Sequence, residues 1–146
     1  MTLFIGLDPG FVSGAMAVMD GNGLRYVKPF ADMTLTDLRD ELEQVAYPGS
    51  FAVLEQVGVM PKQGISSSSK FMRHFGRLEM ALTCSRILFE YVRPQVWQKA
   101  LLCLSKGDKN VTKARAQQMF PNEKITHKTA DAILLAVYAS QHGRTS

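Results

Sequence analysis

Three carboxylates, Asp8, Glu55 and Asp131, each stand at the edge of an apolar stretch, where an acidic side chain is costly unless something positive meets it. Leu3-Phe4-Ile5-Gly6-Leu7 precedes the first, Phe51-Ala52-Val53-Leu54 the second, and Ala132-Ile133-Leu134-Leu135-Ala136 follows the third. That placement suggests a divalent-metal site assembled from distant parts of the chain. Hard carboxylate oxygens suit Mg²⁺ or Mn²⁺ rather than zinc. Each acid also has a purely structural reading. Asp8-Pro9-Gly10 is an ordinary turn sequence, and an acid early in a helix, as Asp131 is expected to be, offsets the helix dipole. Glu55 is harder to place without a partner, because four apolar residues lead into it.

The elements that must position these acids are legible from periodicity. Leu3 to Leu7 is a short apolar run ended by Asp8-Pro9-Gly10, a buried strand entering a turn. Ser13 to Met19 and Leu24 to Phe30 are joined by Asp20-Gly21-Asn22-Gly23, so the three runs form an antiparallel meander. Leu35, Leu38, Leu42 and Val45 recur at helical spacing over 34–45, with Thr34 or Thr36 as N-cap. Phe51 to Glu55 has the continuous apolar character of a central strand. The segment from Gln56 to Ser69 reads as a polar loop. A helix is expected from about Lys70 to Ser85, a fifth strand over Ile87 to Val92, and short helices from Pro94 to Leu102 and Val111 to Phe120. The last helix is expected from near Thr129 to about Gln141. These elements predict a single α/β domain over 1–146, with a central mixed five-stranded sheet flanked by helices. If the first and fourth strands are neighbours, Asp8 and Glu55 emerge side by side at their ends, and a packed helix can bring in Asp131.

At 146 residues and 46% apolar composition, the chain suffices for one core. Cys84 and Cys103 are far apart and form no Cys-x-x-Cys pair, which argues against a disulfide framework or structural zinc and for a reducing, cytoplasmic setting. No apolar run approaches the ~20 residues of a membrane span, and the N-terminus shows no basic leader, so a soluble protein without a secretion signal is expected. The net charge of +4 is unevenly spread. Residues 1–50 carry three basic and seven acidic residues, net −4; residues 51–146 carry fourteen and six, net +8. With Glu55 and Asp131 among those six acids, the later region is basic enough for a phosphate-rich partner, although a merely solubilising surface reads the same way.

The chain resembles the RuvC-type Holliday-junction resolvases of the ribonuclease H-like fold, especially the short phage-type members. The matching pieces are Gly6-Leu7-Asp8-Pro9-Gly10, Glu55-Gln56-Val57, Phe75-Gly76-Arg77, Phe89-Glu90-Tyr91-Val92-Arg93-Pro94-Gln95-Val96-Trp97-Gln98-Lys99 and Ala130-Asp131-Ala132, in the family's order over nearly the whole chain. The resemblance implies a homodimeric, metal-dependent endonuclease of recombination and repair, nicking two opposed strands of a four-way DNA junction in the cytoplasm, a host's if phage-encoded. Asp8, Glu55 and Asp131 match three of the family's metal-binding acids. Two ions roughly 4 Å apart would activate water and stabilise the leaving 3′-oxygen. Lys109 lies where family members carry a catalytically important lysine, with transition-state charge stabilisation as its implied role.

Two positions depart from the family. Its fourth ligand, three residues before the last aspartate, is here Lys128, whose ammonium cannot ligate, which leaves neighbouring His127 as the substitute or a site of three protein ligands. Its aromatic wedge, three residues after Glu55, is here Gly58, with Met60 as a smaller apolar alternative. Lys62, Lys70, Arg73 and Arg77 after Glu55, and Lys99, Lys106, Lys113 and Arg115 before the last helix, are expected to contact DNA phosphates. A homodimer would supply the two-fold symmetry of paired nicking. By periodicity the stripe Phe71, Phe75, Leu78 and Leu82 is either its interface or part of the monomer's core, and the resemblance favours dimerisation through this region. Other readings are a nuclease of the same fold acting on flaps, other branched DNA or RNA, or a catalytically weak junction-binding protein. The Gly-x-Asp-x-Gly strand also occurs in sugar kinases and actin-like ATPases, which usually need two such domains.

Overall fold

The computed structural model describes residues 1–58 and 64–143. Lys62 and Met60 fall outside them. Strand β1 spans Phe4–Asp8, β2 Ala15–Asp20 and β3 Gly23–Pro29, followed by helix α1 over Leu35–Gln44 and strand β4 over Phe51–Glu55. Helix α2 spans Ile65–Cys84, strand β5 Leu88–Val92, and helices α3, α4 and α5 cover Pro94–Ala100, Lys109–Met119 and His127–His142. The five strands form one mixed sheet in the order β3-β2-β1-β4-β5. The meander β1-β2-β3 is antiparallel, while β4 runs parallel to both β1 and β5.

Alternation along the strands divides the core in two. Ile5, Leu7, Met16, Val18, Ala52 and Leu54 face a layer built from Leu38 and Leu42 of α1 and Phe75, Leu78 and Leu82 of α2. Ala15, Ala17, Met19, Phe51 and Val53 face α5, whose Ala132 to Val137 run is buried throughout, together with Trp97 of α3 and Ala116 of α4. Helix α5 lies across β1 because Gly6 has no side chain. A Cβ there would sit 2.3 Å from both the Ala132 oxygen and the Ala136 nitrogen. Thr34 caps α1, its hydroxyl accepting from the Asp37 N–H at 3.0 Å while the Asp37 carboxylate accepts from the Thr34 N–H at 2.9 Å.

Three expectations are corrected. The segment 56–69 is not all loop: α2 begins at Ile65 and takes in Ser66 to Ser69, because burial of its later turns outweighs the weak helix preference of serine. The α2 stripe serves the monomer, since Phe75, Leu78 and Leu82 are buried in the layer facing α1 and the sheet, while Phe71 is half-buried. Finally, α5 starts at His127, so Asp131 sits in its second turn rather than its first.

Candidate metal centre

Strand pairing accounts for the first two acids. Leu7 of β1 is aligned with Leu54 of β4 in parallel register, so Asp8 and Glu55 follow at equivalent positions and point to the same face. That face carries α5, and the Gly6 contact seats the helix close enough for Asp131 to join them. Asp8, Glu55 and Asp131 line one cavity of about 320 Å³ with Pro9, Ser13, Val57, Lys109, Thr112, His127 and Lys128.

The electrostatics are those of crowded acids. Burial pushes the Asp8 carboxyl well above its ordinary range, the charges of Glu55 and Asp131 push it further, and Lys109 opposes them. Burial likewise pushes Glu55 up to about 7, against the hydrogen bond from Trp97. Asp131 is raised by burial and held back by Thr112, Lys109 and His127. Hydrogen bonding between the two carboxyls raises Asp8 further and lowers Glu55, so the two titrate as a pair. Among the described residues, no group of three or more His, Cys, Asp or Glu side chains has the spacing of a ready-made ion site. The donor set fits a hard cation nonetheless: three carboxylates from three elements are desolvated around one polar cavity, and a divalent ion would offset the negative charge that burial there makes costly.

The sign of this strain gives a testable result. Carboxyls whose folded pKa is raised favour the folded state most below their unfolded pKa of about 4, and that contribution is lost as pH rises through the folded value, about 7 for Glu55. Metal-free protein is therefore expected to melt at progressively lower temperature between pH 5 and 8, and Mg²⁺ to raise the melting temperature most at the alkaline end. Parallel melts in chelator and in Mg²⁺ would show this; a Mg²⁺ increment independent of pH would count against the centre.

Side chains behind the acids hold them in place, and the sequence assigned none of them a role, although Trp97 lies in one of the matching pieces. Trp97, fully buried on α3, donates its Nε1–H to Glu55 Oε2 at 2.6 Å. The Thr112 hydroxyl lies between the Asp131 carboxylate and the Lys109 carbonyl, 3.3 Å from the latter. His74 of α2 accepts the Gly10 N–H on Nδ1 at 3.2 Å, pinning the turn after Asp8. Burial and the charge of Arg77 lower its pKa to about 4, which keeps that nitrogen free to accept. A tryptophan 42 residues from its acid and a histidine 64 residues from its amide leave no mark in spacing.

His127 and Lys128 both line the cavity. Residues three and four before a helical position share its face, so a one-residue offset does not separate His127 from Asp131. Lys109, at the start of α4, acts electrostatically on both Asp8 and Asp131. Among the described residues, the other basic residues expected to contact DNA do not line the cavity. Lys70, Arg73, Lys99 and Lys106 are exposed, and Arg77 and Lys113 are half-buried. Arg115 is committed to the fold, its Nε donating to the Leu101 carbonyl at 2.8 Å and a terminal nitrogen to Gln118 at 3.3 Å. Gly58 is exposed.

No protein-family model and no curated protein sequence matches this chain. Solved structures do. Thermus thermophilus RuvC superposes with a TM-score of 0.66 at 15% identity, covering 97% of this chain and 96% of its own. T. thermophilus RuvC in complex with a Holliday junction substrate superposes with a TM-score of 0.70 at 13% identity, covering 98% and 97%. The fold is that of RuvC, with the mixed five-stranded sheet and flanking helices expected from the sequence.

Proposed function

We propose that this chain is a metal-dependent, structure-specific endodeoxyribonuclease that resolves four-way DNA junctions by nicking opposed strands, acting as a homodimer. The observation that carries the reading is the meeting of Asp8, Glu55 and Asp131 with Lys109 in one cavity, on a fold shared with a protein solved on a Holliday junction. Mg²⁺ or Mn²⁺ held by the three acids, with His127 as a further donor, would supply water activation and leaving-group stabilisation. The chain's own groups do the rest. Trp97 fixes one oxygen of Glu55, leaving the other for a cation, and Thr112 orients Asp131. Lys109 places positive charge beside the acids, where a scissile phosphate gains charge in the transition state. Exposed Lys70, Arg73, Lys99 and Lys106 offer phosphate contacts at the periphery. No helix among the described residues is long and apolar enough to cross a membrane. The cytoplasm is the setting we assign.

The test is end-labelled synthetic four-way junctions beside linear duplex, flap, Y-fork and RNA hairpin, in Mg²⁺ and in Mn²⁺. Symmetrical paired nicks in the junction strands are expected. Preferential cutting of flaps or RNA would move the substrate class and keep the chemistry. Lys128 favours a second reading, a junction-binding protein with weak chemistry, because it lines the cavity as a non-ligating cation. Tight junction binding without nicking across a pH and metal series would establish it. Within the nuclease reading, His127→Ala is expected to lower metal-supported cleavage about tenfold and Lys128→Ala less. Single-turnover rates across a Mg²⁺ titration decide the point, and the reversed order would make the lysine the participant.

A further inference from the structure

Strands β1, β4 and β5 run parallel to one another and so finish at the same end of the sheet, where ligand sites gather in α/β folds. The ends of β1 and β4 carry the acids, and the ends of β4 and β5 open on a second cavity of about 570 Å³, larger than the first. Glu55 is aligned with Val92 in parallel register, and the Gln56 N–H donates to the Val92 carbonyl at 2.8 Å. Gln56 and Arg93 therefore leave the sheet side by side. Val57 lines both cavities, so the second one borders the metal centre.

Its walls are of two kinds. Met72 and Phe75 of α2 and Pro94 at the start of α3 supply apolar surface, and stacking on Tyr91 at 6.0 Å steadies the Phe75 ring. Gln56, Arg93 and Gln95 supply two amides and a guanidinium. All three are exposed, and among the described residues none of their side chains has a hydrogen-bond or ion-pair partner. Gly58 adds no side chain to the rim, where a Cβ would meet nothing within 4 Å. An apolar floor with a few convergent polar groups, in a volume inside the roughly 300–1,000 Å³ range of small-ligand pockets, suits a planar heterocycle. The polar groups narrow it to a purine. Glutamine pairs bidentately with N6 and N7 of adenine, and arginine with O6 and N7 of guanine.

We propose that this cavity takes one purine base of the cleaved strand, extruded beside the scissile phosphate, and that Gln95 and Arg93 read its edge while Met72 and Phe75 cover its ring. This rests on the branched-DNA reading above and gives it a preference among sequences. Extruding a base costs least where the duplex is already disturbed, as it is at a branch point. A cavity that meets the metal centre at Val57 lies next to the strand being cut. An apolar peptide side chain would fill the floor and leave the guanidinium and both amides without partners.

The experiment uses the full chain and a set of synthetic four-way junctions that differ only in the base pairs flanking the crossover, so that each position beside the nick is purine and pyrimidine in turn. In single turnover with Mg²⁺, wild type is expected to nick about tenfold faster when one fixed position is a purine. Arg93→Ala combined with Gln95→Ala is expected to bring the purine junctions to within about twofold of the pyrimidine ones. The melting temperature holds, because both side chains are exposed and Arg93 makes no side-chain cap to α3. A wild type without base preference, or a preference that survives in the double variant, overturns the purine pocket alone and leaves the nuclease reading standing. Equal slowing of every junction by the double variant makes Arg93 a phosphate contact and overturns the pocket as well. A wild type that neither binds nor nicks any of the junctions overturns the proposed function, and the pocket with it.

Discussion

Asp8→Asn is expected to reduce metal-dependent junction cleavage by roughly 10²–10³-fold or more, to leave junction binding intact, and to make the metal-free protein more stable. The first and third outcomes share one cause. Asp8 is raised by burial first and then by the charges of Glu55 and Asp131, against Lys109, so its ionised form is costly in the metal-free site and a divalent cation would offset that cost. An amide of the same shape removes the repulsion and the strongest reason for a cation to enter. Stabilisation of about 1 kcal/mol is the usual scale when a functional strain is relaxed. Melting in chelator should therefore rise above wild type, and the increment produced by Mg²⁺ should shrink. Binding is expected to survive because the proposed phosphate contacts, Lys70, Arg73, Lys99 and Lys106, are exposed and do not line the cavity. Undiminished nicking by Asp8→Asn would sink the metal-centre reading; lost binding with unchanged melting would shift Asp8 to DNA contact.

Gly6→Ala is expected to be among the most damaging single-methyl additions in the chain. The new Cβ meets the Ala132 oxygen and Ala136 nitrogen at 2.3 Å and the Leu135 carbonyl carbon at 2.8 Å. All three are backbone atoms of α5, so no rotamer change accommodates it, and the helix must lift from β1. Overpacking of this kind costs about 1–3 kcal/mol or more. The functional loss should exceed the stability loss, because Asp131 rides on α5 while Asp8 and Glu55 stay on the sheet. The measurement is a chemical-denaturation curve together with the Mg²⁺-induced rise in melting temperature, with Gly76→Ala as control. Gly76 lies within α2, where an added Cβ meets nothing within 4 Å, so that change should be neutral or stabilising by up to about 1 kcal/mol. A Gly6→Ala protein with wild-type stability and full Mg²⁺ response would show that α5 does not deliver Asp131 by close approach to β1.

The order and kind of the elements were legible because each carries its own period. The turn residues Asp20-Gly21-Asn22-Gly23 between two apolar-rich runs, continuous apolarity in β4 and three-four spacing in α1 are local signals that the tertiary structure had no reason to override. Boundaries were less legible. The serines of α2 read as loop by propensity, and only the docking of Phe75, Leu78 and Leu82 shows that the helix continues back through them. The same stripe had two equal readings in sequence, since periodicity states that a face is apolar and not what covers it. Here the described fold covers it with α1 and the sheet, and the homodimer of the proposed function needs another surface, such as exposed Met72 and Met80.

By itself the sequence determined that Asp8, Glu55 and Asp131 are acids at the ends of apolar runs, because composition along a strand or helix is a one-dimensional property. That β1 and β4 are adjacent and in parallel register, that Gly6 lets α5 settle onto them, and that Trp97, Thr112 and His74 stand behind the site were decided by the tertiary structure. These are contacts between residues tens of positions apart, set by which faces pack and how closely, and no spacing along the chain encodes a distance across it.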